Sequence, residues 1–138
     1  MPAPWRPAHD RATRDPRGST FEEQIGYARA VIHGDSVHVS GTTGFDYTTM
    51  TISDDVVEQA EQCLRDIGAV PAEAGRTFAD VVRCALPAAR PGRIRALPAG
   101  PAPLVSARSG RPPPCSLCGL ADPRMKIEIE VYAQRPAR

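Results

Sequence analysis

The sequence predicts a single domain in which a β-sheet is packed by an amphipathic helix. Three stretches carry that expectation: an alternating segment from Met125 to Tyr132, a hairpin pattern around His33-Gly34-Asp35, and an acid-capped amphipathic run from Asp55 to Ile67. At 138 residues the chain can bury one hydrophobic core but not two.

In chain order, residues 1–18 are rich in proline and arginine and poor in apolar side chains, so they form a disordered tail that cannot offset its ordering entropy. The domain occupies residues 19–138. Tyr27 to Ile32 and Ser36 to Ser40 are β-rich segments flanking a Gly-Asp turn, which makes a hairpin. Gly41-Thr42-Thr43-Gly44 closes the second strand, and its glycines suit either a bend or a close backbone approach to a ligand. The lysine and following helix that a phosphate loop requires are missing.

Ser53-Asp54-Asp55 offers oxygens and negative charge to the first turn of a helix. Its apolar face is Val56, Val57, Ala60, Cys63, Leu64 and Ile67, and Glu58, Gln59, Glu61, Gln62, Arg65 and Asp66 form a solvated face. Gly68 and Pro71 interrupt the helix, with a restart over Pro71 to Ala74. Phe78 to Cys84 reads as a short turn leading into a third core strand. Residues 85–120 hold eight of the fifteen prolines and five arginines, with no acid, lysine or aromatic, and so predict neither a core helix nor a core strand. The closing segment places Met125, Ile127, Ile129 and Val131 on one face and Lys126, Glu128, Glu130 and Tyr132 on the other, as in a half-buried strand.

Seventeen basic and sixteen acidic residues supply no general attraction for nucleic acid or an anionic membrane. No apolar run approaches the roughly 20 residues that span a bilayer, and no signal peptide is legible, so a cytoplasmic protein is expected. Cys63, Cys84, Cys115 and Cys118 read as free thiols. Cys115 and Cys118 have zinc-knuckle spacing, but the second ligand pair is missing and no metal is expected. The basic block lacks interleaved aromatics, which argues against an RNA-associated role.

Three blocks together resemble the reactive-intermediate deaminase (RidA, or YjgF) family. They are Glu22 to Thr51, with V-H-V-S-G-T-T-G-F-D; Asp55 to Ile67 followed by Ala79-Asp80-Val81-Val82-Arg83; and Ala121 to Ala133, with the specific K-I-E-I-E-V ending. The resemblance implies an α+β, chorismate-mutase-like fold, a mixed β-sheet packed by two helices. It further implies a homotrimer with sites in the clefts between subunits. Active members hydrolyse enamines and imines to a 2-keto acid and ammonia without metal or cofactor. By position in the signature, Glu128 is the carboxylate that orients water, Tyr27 walls the cleft, and the backbone around Ser40, Gly41 and Thr42 supplies donors to a small imino or enamino acid.

The resemblance fails between Arg83 and Gly119, where the family has a strand, its second helix and another strand that carries the substrate-binding arginine. Here the second helix and one strand are degraded. Nearly equal length with alien composition suggests two compensating frameshifts. Codons allowed by Gly92 to Gly100, read one base later, permit A-E-F-E-P-C-R-P-V, a family-like helix start. Arg124 lies nearer the signature strand but belongs to a turn. The sequence therefore supports a deaminase by ancestry, impaired in this form, beside a non-catalytic small-molecule binder and an RNA-associated protein.

Overall fold

A computed structural model describes residues 13–14, 28–73, 77–90 and 115–135. Among these residues eight strands run in chain order: β1 (Thr13–Arg14), β2 (Ala30–His33), β3 (Ser36–Thr43), β4 (Phe45–Asp46), β5 (Thr51–Ile52), β6 (Val81–Ala88), β7 (Cys115–Leu117) and β8 (Glu128–Gln134). Among the described residues one α-helix, α1 (Val56–Glu73), lies between β5 and β6, and a 3-10 turn (Phe78–Asp80) leads into β6. Six strands form one sheet in the order β1-β2-β3-β8-β6-β7, and β4 and β5 pair separately. All neighbours are antiparallel except β6 and β7, so the main sheet is mixed.

The hairpin forms as its turn chemistry predicts. His33 pairs with Ser36 across Gly34-Asp35, and Gly34 takes the left-handed φ of 55° that glycine adopts without a Cβ clash. The closing strand keeps its alternation: Ile127, Ile129, Val131 and Ala133 are buried, and Glu128, Glu130 and Tyr132 are half-buried on the other face. Ala60, Cys63, Ile67 and Val70 of α1 join Val37, Val39, Ile129 and Val131 in one core. The helix starts where Asp55 Oδ1 accepts from the amides of Val57 (2.8 Å) and Glu58 (3.0 Å), satisfying two of the donors left open in a first turn.

Four expectations need correction or extension. The helix is not interrupted at Gly68 and Pro71 but runs to Glu73. Gly68 gives room to Phe78, whose ring would lie 3.0 Å from any Cβ there, and Val70 is buried beyond it. Proline near a helix end removes only one bond of the ladder. Residues 85–120 do contribute strands at both ends: β6 continues through Leu86 and Ala88, both buried, and pairs in parallel with Cys115–Leu117. Pro87 marks the break in pairing with β8, which is registered at Ala85↔Glu130 and resumes only at Ala88↔Ile127. In the expected tail, Thr13 and Arg14 pair with Ile32 and Val31, a backbone ladder that needs no apolar side chain. The second helix and the rest of the atypical block, residues 91–114, lie outside the described residues.

The fourth correction concerns Gln59, assigned above to the solvated face and in fact 0% exposed. Its Nε2 donates to the carbonyls of Ser53 (2.6 Å) and Arg124 (2.9 Å), and its Oε1 accepts from the Lys126 amide (2.8 Å). The side chain therefore ties the helix start to the turn that feeds β8. Gly44 makes room for it, because a Cβ there would lie 2.5 Å from Gln59 Cβ. Lys126 reinforces the same junction through its ammonium, which donates to the Asp54 carbonyl. Among the described residues no helix is long and apolar enough to cross a membrane.

Replacing Gln59 with Ala removes three hydrogen bonds and should lower the unfolding free energy by about 3 kcal/mol, at about 1 kcal/mol each. Urea denaturation measures this. A loss below about 0.5 kcal/mol, typical of a surface substitution, would contradict the buried clamp.

Candidate functional site

Glu128 is the first residue of β8, and its cross-strand partner is Thr43. The pairing of β3 with β8 shifts register between Val39 and Thr42, so Ser40 and Gly41 occupy a bulge. The expected bend at Gly41 is thus a bulge within a strand that continues to Thr43. The close approach there is to a side chain of the protein itself. A Cβ on Gly41 would lie 2.3 Å from Glu128 Oε1 and 2.5 Å from Cδ, so the carboxylate crosses the bulge where only glycine leaves space. Glu128 is half-buried, and burial pushes its pKa above the ordinary glutamate value, with the Glu130 charge adding to the rise. A carboxylate placed so is poorly hydrated and more basic than a solvated one, which suits it to accept a hydrogen bond or proton from water.

Ser40, Gly41 and Thr42 are brought beside Glu128. The Ser40 amide donates to the Arg29 carbonyl (3.0 Å), and its hydroxyl donates to the Ala28 carbonyl (2.9 Å), anchoring the bulge to the chain entering β2. Thr42 is buried; its hydroxyl donates to the Ser40 carbonyl (3.0 Å), and its own carbonyl accepts from the Cys63 thiol (3.2 Å). Burial drives the Cys63 pKa far up, so this sulfur stays a thiol and is no nucleophile. Tyr27 lies outside the described residues.

The structure adds three residues that the sequence reading did not single out. Thr43 Oγ1 lies 3.4 Å from the Tyr47 hydroxyl, and the Arg29 guanidinium sits 4.5 Å over the Tyr47 ring. The β3–β8 register sets Thr43 opposite Glu128, and antiparallel partners share a face. Arg29 and Tyr47 come together only through the β2–β3 pairing and the turn after β3, for which no local pattern exists. Nearby, burial pushes the Asp66 carboxyl pKa up, and its Oδ2 has no hydrogen-bond partner among the described residues.

Other groups singled out in the sequence lie elsewhere. His38 is exposed and packs edge-on to Tyr132, and His33 ends β2. Cys118 is exposed, and among the described residues no three His, Cys, Asp or Glu side chains converge as metal ligands. Arg124 is engaged in its turn: Nε and a terminal nitrogen donate to the Asp122 carboxylate at 3.0 and 2.8 Å, which holds Asp122 at a pKa of about 2.

The chain is similar in sequence and fold to known proteins. The sequence pattern of the endoribonuclease L-PSP family matches residues 19–135. An uncharacterised protein of Streptomyces coelicolor is 34% identical over 122 residues, covering 87% of this chain and 90% of its own. A solved member of the YjgF/YER057c/UK114 family from Mycobacterium tuberculosis is 33% identical, with a TM-score of 0.70 over 91% of this chain and 100% of its own. RidA from an Antarctic Psychrobacter is 26% identical, with a TM-score of 0.62 over 90% of this chain and 94% of its own. The match spans both sides of the atypical block, the strand order carries the signature strand at the centre of a mixed sheet, and the chain belongs to the endoribonuclease L-PSP family, the YjgF/RidA family of its K-I-E-I-E-V ending.

Proposed function

We propose that this protein hydrolyses small 2-imino and 2-enamino acids to 2-keto acids and ammonia, with Glu128 orienting the attacking water. The observation that carries this reading is the half-buried Glu128 carboxylate lying across Gly41 with an upward-shifted pKa. Water adds its oxygen to the imine carbon while Glu128 accepts a proton from it. The nitrogen gains protons and leaves as ammonia as the carbonyl forms, so one water is consumed per imine. These steps use no metal or cofactor.

Family membership supports a homotrimer with this face in a cleft between subunits, working in the cytoplasm where imines are released. The proline- and arginine-rich block at residues 85–120 supports the companion proposal of two compensating frameshifts. In that case the form in hand retains the water-orienting carboxylate but lacks the family's own carboxylate-binding arginine. The activity is then impaired, and a non-catalytic small-molecule binder is the limiting case.

Purified protein should speed the decay of a 2-imino acid generated in situ, and Glu128→Gln should reduce that rate by about a hundredfold, the lower end for general acid–base groups. An unchanged imine half-life with wild-type protein would favour the non-catalytic reading, and salt-sensitive RNA retention would favour the RNA-associated one. The same variant separates role from fold. A carboxyl whose folded pKa is raised stabilises the native state most below its unfolded pKa and loses that contribution as pH rises through the folded value. Glu128→Gln should therefore melt above wild type at pH 7, the gap closing near about pH 4. Light scattering should give three times the 14.8 kDa chain mass. Sequencing the DNA across codons 83 to 120 in related strains should reveal two single-base indels that restore the family sequence; an identical reading frame throughout would refute the frameshifts.

A further inference from the structure

We propose that the Tyr47 hydroxyl, seated on Thr43 beside Glu128, is a catalytic group that donates a hydrogen bond to the imine nitrogen of the substrate. The assignment rests on the 2-imino-acid reading above, which gives the attacking water a partner in Glu128 but gives none to the nitrogen at the other end of the C=N bond.

The phenol belongs to the face that carries the carboxylate. Thr43 is the cross-strand partner of Glu128, and antiparallel partners share a face. Gly41, two residues before Thr43 on β3, presents its Cβ position to Glu128 Oε1, which sets the carboxylate on that same side of the strand. The Tyr47 hydroxyl lies 3.4 Å from Thr43 Oγ1. Cβ atoms of cross-strand partners are about 5 Å apart, and a bound water, the C=N unit it attacks and a second hydrogen bond bridge about 7 Å. The carboxylate and the phenol are therefore spaced to hold the two ends of one imine.

The two hydroxyls have a hydrogen to spare. Each carries one O–H, and a single hydrogen serves the contact between them. At 3.4 Å that contact is longer than the roughly 2.8 Å of a full O–H···O bond, so a better-placed acceptor displaces it. Thr43 is buried, which leaves its hydroxyl little water to turn to. The Glu128 carboxylate has no hydrogen-bond partner among the described residues. A spare donor and an open acceptor on one face suit a water that donates and an imine nitrogen that accepts.

The Tyr47 ring is fixed by its neighbours. The buried Phe45 ring lies 6.4 Å from it, the Arg29 guanidinium packs 4.5 Å over it, and Asp46 Oδ1 accepts from the amides of Thr48 (2.8 Å) and Thr49 (3.3 Å), closing the turn behind it. As the water oxygen bonds to carbon, the π pair of C=N moves to nitrogen, which becomes a stronger acceptor. The bond from Tyr47 is then stronger in the transition state than in the ground state. Glu128 hands the proton taken from water to that nitrogen, giving the carbinolamine. It next takes the carbinolamine hydroxyl proton as the carbonyl forms and the C–N bond breaks, and the nitrogen receives that proton to leave as ammonia. Tyr47 contributes a hydrogen bond and no proton.

The test combines kinetics with calorimetry on the full chain. Tyr47→Phe, which keeps the ring, should lower kcat for a 2-imino acid by roughly tenfold with KM near wild type, the pattern of an interaction strengthened in the transition state. Thr43→Val should lower kcat in wild type and add nothing in Tyr47→Phe, because Thr43 only positions the phenol. The stable probe is 2-(methoxyimino)butanoate, an oxime ether that keeps the acceptor nitrogen. Tyr47→Phe should weaken its binding roughly fivefold, the scale of one hydrogen bond, and leave binding of 2-methylidenebutanoate, which has CH2 in place of that nitrogen, unaltered. Circular dichroism establishes that each variant is folded. Wild-type kcat in folded Tyr47→Phe, additive losses at Thr43 and Tyr47, an equal loss of affinity for the methylidene compound, or no binding of the oxime ether by wild type would overturn the assignment. Oxime-ether binding that depends on Tyr47 in a wild type that hydrolyses nothing would sustain the nitrogen site and sink the hydrolase reading.

Discussion

The buried amide of Gln59 is the interaction on which the rest of the site depends. Its side chain bonds at once to the loop before α1 and to the turn before β8. Neutral and bifunctional, this buried amide is itself satisfied by two carbonyls and one backbone amide, without the desolvation cost of a charge. Because it fixes where Lys126, two residues before Glu128, sits relative to the helix, it also fixes where β8 begins.

Two glycines translate that constraint into geometry. Gly44 lets β3 and its following turn close onto Gln59, and Gly41 lets the Glu128 carboxylate lie across the bulge. Both accommodate a side chain of the same chain, Gln59 at Gly44 and Glu128 at Gly41. The outcome at Glu128 is a carboxyl held partly out of water next to a second carboxyl, Glu130, which costs stability at neutral pH. Such a cost is consistent with a site kept for reactivity.

The parts of this protein legible in its sequence were those with a local physical signature. The alternation of Met125 to Tyr132, the Gly-Asp turn and the Asp55 cap each stand in the structure as read, because period, φ preference and capping are decided by near neighbours. Gln59 was misassigned because helical periodicity cannot distinguish a solvated amide from one that bonds Arg124 and Lys126, more than sixty residues away. Pro71 and Gly68 read as stops because their helix penalty is local, whereas the burial of Val70 and Phe78 that overcomes it is tertiary. Residues 86 and 88 were dismissed with their proline-rich surroundings, although Leu86 and Ala88 are core residues. In the site, Glu128 came from the family signature, whereas the contacts of Tyr47 with Thr43 and Arg29 depend on strand pairing and on a turn that carry no local pattern.

The fold holds Glu128 as a partly desolvated carboxylate across Gly41, with its pKa raised. Carbon-13 NMR titration of the Glu128 carboxyl measures it directly. The midpoint should lie above the ordinary 4.5, and Gly41→Ala, which displaces the carboxylate, should lower it. A midpoint at or below 4.5 in the unaltered protein would show a solvated strand residue and contradict the account.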